Sequence, residues 1–298
     1  MILGMSYYNI CLYFLVYSFG GWVLEVAYHA VVTGKVINRG FLNGPVCPVY
    51  GFGALGIFAL MHVMQPENTI EMNSLLVFVI GTVIATIVEL TAGWLLETLF
   101  HARWWDYSNK PFNFHGYICL EFSLLWGVAI LIVVKVIHPL VRNASGSLIP
   151  VNYAWWIMLV LYIMYLADLI VSVLTVIGFN KRLKELDLIR EKMRLVSDGM
   201  SREIAVNTIR TTQKVQEGKV QAALAKADMQ ESAAEQKEAF QKRADQLYAE
   251  IYRKHGRLMN AFPDIRHRDY AKTLEDVLNG WRGRHGKSAD NDQLKNQE

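Results

Sequence analysis

The chain has 298 residues, 53% of them hydrophobic, and its 30 Lys and Arg nearly balance its 27 Asp and Glu. That is too apolar for an ordinary water-soluble protein and offers no basic surface for nucleic acid, and three cysteines give no disulfide framework. The charge is unevenly spread: residues 1–179 hold 6 basic and 8 acidic side chains, residues 180–298 hold 24 and 19.

Five stretches supply the roughly 20 mostly apolar residues that cross a bilayer. They are predicted at 8–32, 46–65, 74–100, 118–138 and 152–179. The N-terminus carries no basic residue before its apolar run and no small-residue cleavage pattern, so it reads as a retained membrane helix. Loops 33–45 (Lys35, Arg39) and 101–117 (Arg103, Lys110) are basic, as is the stretch after 180, whereas loop 66–73 has no Lys or Arg and loop 139–151 only Arg142. The positive-inside rule then puts the N-terminus outside and the C-terminus in the cytoplasm. The fold class expected is all-α: a polytopic membrane bundle of about five helices with a long helical cytoplasmic extension. The divisions expected are 1–179 for the membrane domain, 180–280 for the helical extension and 281–298 for a disordered tail.

In the extension, Leu186, Ile189, Met193, Val196 and Met200 recur at three- and four-residue steps, a short coiled-coil-like seam that Gly199 interrupts. Residues 201–255 are rich in strong helix formers, Pro263 ends that run, and Tyr270–Leu278 is a further short amphipathic helix.

Chemistry is expected where charge enters the apolar spans, because an ionised group at mid-membrane costs roughly 2.5–3.5 kcal/mol and faces a partner or a wet cavity. Trp22, Glu25 and His29 share one face of the first span, and Glu89, Gly93 and Glu97 form a stripe on the third. Such carboxylates can line a proton or cation path, or hold a metal if another helix supplies ligands; the cysteines form no metal-ligand spacing, and the sequence names no cofactor. Asp168 in the fifth span reads as a hydrogen-bonding residue. The two basic loops are aromatic and rich in Gly, Pro and Asn, as suits backbone that lines a cavity. Arg39 is the counter-charge expected for Glu25, Glu89 or Asp106. The candidates for a polar cavity open to the cytoplasmic side are Glu25, Arg39, Asn43, Tyr50, Glu89, Glu97, Trp105, Asp106, Tyr107 and Asn113. Cys11, Cys47 and Cys119 read as small buried hydrophobes. No Walker loop, GxSxG, HExxH or dinucleotide fingerprint occurs.

These motifs resemble a known family. The series Gly20-Gly21-Trp22-Val23-Leu24-Glu25, Asn38-Arg39-Gly40-Phe41-Leu42-Asn43-Gly44-Pro45, Pro48-Val49-Tyr50-Gly51, Trp105-Asp106-Tyr107-Ser108, Pro111-Phe112-Asn113 and Gly116-Tyr117-Ile118-Cys119-Leu120 is similar to the bacterial membrane family described as “putative ABC-transporter type IV” (CmpB-like). The resemblance covers about residues 5–180, and Arg257-Leu258-Met259-Asn260-Ala261-Phe262-Pro263 resembles a motif that follows the membrane domain in such proteins. It implies a bacterial cytoplasmic-membrane location and a permease-like role, although no coupling-helix signature for a nucleotide-binding subunit accompanies it.

Three functions follow, in this order. The first is a permease-like membrane subunit that works with further copies or with partner membrane or ATPase subunits, since five spans are few for a complete transporter. The second is an intramembrane enzyme on a lipid or lipid-linked substrate, with carboxylates as acid and base and Arg39 on a phosphate or carboxylate. The third is a membrane anchor or sensor whose helical tail recruits a partner.

Overall fold

The computed structural model describes residues 5–64, 72–147, 151–211 and 218–295, without the side chains of 145–152, 200–230 and 285–295. Helices dominate. They are α1 (Tyr7–Thr33), α2 (Pro48–Met64), α3 (Ser74–Phe100), α4 (Leu120–Ile132), α5 (His138–Ser147), α6 (Val151–Thr211), α7 (Gly218–Ala261) and α8 (Ala271–Lys295). A π-helical turn, Val133–Ile137, joins α4 to α5. Four two-residue strands complete the elements: β1 (Ala102–Arg103), β2 (Asn113–Phe114), β3 (Ile118–Cys119) and β4 (Arg266–His267).

Among the described residues, four helices are long and apolar enough to cross a membrane: Tyr7–Thr33, Ser74–Phe100, Leu120–Ala144 and Tyr153–Gly199. The fifth expected span, α2, is apolar but has 17 residues, about 25 Å of helix against a hydrocarbon core of about 30 Å. The chain divides into two compact units.

The first unit comprises residues up to Val176 together with Arg257–Asp269. Its helix ends are set by local chemistry. The Ser6 hydroxyl accepts from Asn9 N at 3.1 Å and starts α1, and Gly34, in the left-handed region at φ 70°, closes it with a bond from its N–H to Ala30 O. Asn73 starts α3 by accepting from Leu75 N at 2.8 Å. α1 packs along α2, α2 on α3 and α3 along α4. The apolar core of this unit contains Tyr13 and Tyr17 of α1, Ala54, Ile57, Phe58 and Met61 of α2, Val77 near the start of α3 and Val134 in the π turn. His138 stacks on Phe58 at 3.9 Å and shares a hydrogen bond of 2.9 Å with the Tyr17 hydroxyl. These positions cluster near the helix ends remote from loops 34–47 and 101–119, which leaves the polar side chains of α1 and α3 for the other end.

The second unit, Ile177–Gly256 with residues from Tyr270 onward, is a set of three helical stretches. Leu183, Leu186 and Ile189 of α6, Ala244, Leu247 and Ile251 of α7, and Leu274, Val277 and Leu278 of α8 are buried. Arg182 pairs with Glu250, Arg243 with Glu185, and Arg190 with Asp276 and Thr273, so charged side chains tie α6 to both other helices. Leu186 and Ile189 of the predicted seam thus pack within the chain; the side chain of Met200 lies outside the described residues. Helix α8 also runs through residues 281–295, which the sequence assigns to a disordered tail.

A membrane carboxylate pair and two clamped loops

Tyr50, in the first turn of α2, donates to Glu25 Oε1 on α1 at 2.6 Å. The contact depends on a glycine: a Cβ at position 21 would stand 2.2 Å from the Tyr50 ring, so only Gly21 lets α2 approach. On α3, Tyr107 donates to Glu89 Oε1 at 3.1 Å, while Glu89 Oε2 is buried without a hydrogen-bond partner among the described residues. The Trp126 indole lies close enough to Glu89 to act on it electrostatically, without a well-formed hydrogen bond to Oε2. Trp126 also meets Tyr50 edge to face at 5.6 Å, and Tyr107 stacks on Phe122 at 4.8 Å. The charges of Glu25 and Glu89 lie within electrostatic reach of each other. Burial, followed by the Glu89 charge, pushes the Tyr107 phenol well above its ordinary range, so this hydroxyl stays a donor. Burial, followed by the Glu25 charge, pushes the neighbouring Cys47 thiol up to about 12, which keeps it from acting as a thiolate.

The loop 38–47 is held from two sides. Asp168 of α6 accepts from Asn43 N (3.1 Å), Asn43 Nδ2 (3.0 Å) and Gly44 N (2.8 Å). Arg257 donates to the carbonyls of Gly40, Phe41 and Leu42 at 3.0–3.1 Å. Asn38 accepts from the Trp22 indole at 2.8 Å and donates to Asn43 O at 2.6 Å. His29 turns to Lys35 O and Thr33, so Trp22, Glu25 and His29, which the spacing puts on one face of α1, serve separate partners.

The second loop is built around Asp106, whose side chain is 8% exposed. It accepts from the Ser108 N–H and hydroxyl, and it pairs with Arg266 at 2.5 Å and with Arg103 at 3.7 Å. Burial opposes ionisation, but the Ser108 hydrogen bonds and the two arginines outweigh it and hold this carboxyl below the usual range. Glu97 takes both Nε and Nη2 of Arg103 at 2.9 Å. Trp105 donates to Tyr117 O at 2.9 Å, and Asn113 ties the turn through Ser108 O, Lys110 O and Gly116 N. β2 pairs with β3, and β1 pairs antiparallel with β4, matching Ala102 to His267 and Arg103 to Arg266. Trp104 is packed edge to face between Phe41 and Phe262, at 5.4 and 4.7 Å, and so links both loops to the returning segment 257–269.

The ten candidates therefore fall into separate groups. Glu25, Tyr50, Glu89 and Tyr107 belong to the carboxylate pair. Asn43 belongs to the first loop clamp, and Glu97, Trp105, Asp106 and Asn113 to the second loop. Arg39 forms no ion pair among the described residues; Arg103 and Arg266 supply the charge that the sequence assigns to it beside Asp106. A cleft of about 220 Å³ is lined by Glu97, Arg103, Asp106, Ser108, Arg266, His267 and Arg268, with neither Glu25 nor Glu89 among them. The sequence assigns Arg103 only to the basic charge of its loop, gives no role to Trp126 and Arg266, and offers Arg257 only as part of a motif that follows the membrane domain. The partners of Arg257 and Arg266 lie some 150 residues or more away in the chain, beyond any local spacing rule.

Residues 12–173 match the model of a family described as “Putative ABC-transporter type IV”. No curated protein and no solved structure matches the chain.

Proposed function

The chain belongs to that family, and we propose that it is the membrane-embedded subunit of a transport system whose working centre is the Glu25–Glu89 pair, handling a cation and foremost a proton. One observation carries this reading: two carboxylates on membrane helices lie within reach of each other's charge, and each has a phenol donor where a neutralising cation would be expected. Charge of one sign cannot remain there unpaired without a large desolvation cost. A proton on either carboxylate, or a cation between them, relieves that cost. The close packing of Gly21 on Tyr50 favours the smallest cation. The N-terminus lies outside and the C-terminus in the cytoplasm by the distribution of Lys and Arg, so loops 34–47 and 101–119 form the cytoplasmic mouth. Few spans for a whole transporter imply a second copy or partner subunits, an ATPase among them.

The test is proton movement into proteoliposomes that hold a pH-sensitive dye. The wild type should collapse an imposed pH gradient, Glu25→Gln and Glu89→Gln should each slow it by roughly ten-fold or more, and Glu97→Gln should leave it near wild type. A wild-type rate equal to that of protein-free liposomes, or to that of both variants, counts against the reading.

A further inference from the structure

Helix α3 shows one exposed apolar stripe, with Ile87, Trp94, Leu95 and Leu99 each between 45% and 61% accessible. In a membrane helix a stripe of this kind meets lipid tails. Towards the C-terminal end of α3 it runs into a groove of about 420 Å³ lined by Leu90, Thr91 and Trp94 on one side and Phe114, His115 and Tyr117 on the other. That volume lies within the range of small-ligand sites, about 300–1,000 Å³.

The wall made by the loop is firmly built. Trp105 donates to Tyr117 O, and the Tyr117 ring rests on Gly93, where an added Cβ would come to 3.0 Å. The hairpin holds Phe112 and His115 in the left-handed region, at φ 51° and 50°, a conformation that non-glycine residues adopt at a cost. The strained turn leaves Phe112 83% and Phe114 55% accessible, an outcome with no benefit to folding in water. The groove is walled mainly by apolar groups. The Thr91 hydroxyl donates to Ile87 O at 2.7 Å, the Tyr117 phenol lies within electrostatic reach of Glu97, and the His115 ring packs edge to face on Phe114 at 4.6 Å. A polar solute entering here would lose water for few hydrogen bonds, whereas a hydrocarbon chain would gain apolar contact.

We propose that this groove between α3 and the 112–117 hairpin binds one acyl chain of a phospholipid. The occupant follows from continuity: the groove opens on the stripe of α3 that lipid tails already cover. This site stands apart from the carboxylate pair and does not depend on its function.

The test uses the full chain in vesicles of phosphatidylglycerol and phosphatidylethanolamine doped with phosphatidylcholine that carries a photoactivatable diazirine at mid-chain. After illumination, adducts on Trp94, Phe114 and Tyr117 should exceed those on Val79 and Val83, which are exposed on the same helix. Thr91→Trp, which fills the groove, should cut labelling of Phe114 and Tyr117 several-fold while leaving Val79 and Val83 unchanged. Phe114→Ala, a change at an exposed position, should lower labelling of Trp94. Labelling no stronger than at Val79 and Val83, or unchanged in both variants, overturns the proposal. So does a dimer of the chain whose formation shields these residues from the probe.

Discussion

Arg257 places a guanidinium against three carbonyls, of Gly40, Phe41 and Leu42, with no carboxylate among the described residues in direct contact. Burial lowers its pKa, and the Asp168 charge partly offsets this. Because its bonds among the described residues go to main chain, it fixes the path of a loop that has little regular structure of its own. Removing it leaves three acceptors without this donor, a local loss of about 2–3 kcal/mol. Cys47, 7% exposed and in contact distance of Gly40, reports on that path. In a background with Cys11→Ser and Cys119→Ser, Arg257→Ala should speed maleimide labelling of Cys47 several-fold, and Arg257→Lys should fall between it and wild type. Equal labelling in all three would show that the arginine does not hold the loop. His255 presents the opposite case, a side chain 3% exposed with neither ring nitrogen hydrogen-bonded among the described residues. Burial, and after it the charges of Arg182 and Lys254, lower its pKa to about 4. The unfolded imidazole titrates near 6.5. Between those values the unfolded state binds more protons, so stability falls as pH drops from about 6.5 to 4 and levels off below. His255→Phe should remove that acid dependence, read by hydrogen exchange of the α7 amides, and should not lower stability at neutral pH. A variant that keeps the same slope would place the acid sensitivity elsewhere.

Among the elements, α1 and α3 were the most legible. The sequence predicts 8–32 and 74–100, and the helices run Tyr7–Thr33 and Ser74–Phe100, because capping residues bound the apolar runs. The change at 179 was read from charge alone. Helix α6 continues through it to Thr211, since no Pro interrupts the backbone where the surface turns from apolar to charged and the single Gly178 there does not end the helix. The short strands were not legible at all. Two-residue ladders such as β1–β4 carry no periodicity, and their pairing rests on Asp106 meeting Arg266 across the chain. Asp106→Asn weakens both that pair and the Ser108 turn. Arg266 and Arg268 are exposed trypsin sites, so this variant should be cut there several-fold faster than wild type at neutral pH. Unchanged cleavage would mean that the ladder and Phe262 hold the segment unaided.

For the whole molecule, sequence showed that the chain is a helical membrane protein with acidic residues in its spans, since both follow from hydropathy and the cost of buried charge. It did not show which partner each acid takes: Glu25 accepts from Tyr50 and Glu89 from Tyr107, whereas Glu97, on the same stripe of α3 as Glu89, goes to Arg103. The proposed topology puts residue 70 outside and residue 200 inside, so reporters fused at those positions should give opposite signals; matching signals would reverse half the assignment. The central claim, that Glu25 and Glu89 act as one proton-holding centre, is tested most directly by pH-difference infrared spectroscopy of the protein in lipid. The wild type should show a protonated-carboxyl band that Glu25→Gln and Glu89→Gln each abolish, with no further loss in the double variant, and that Glu97→Gln retains. A band that survives both single replacements, or two bands that disappear independently, would contradict a shared centre.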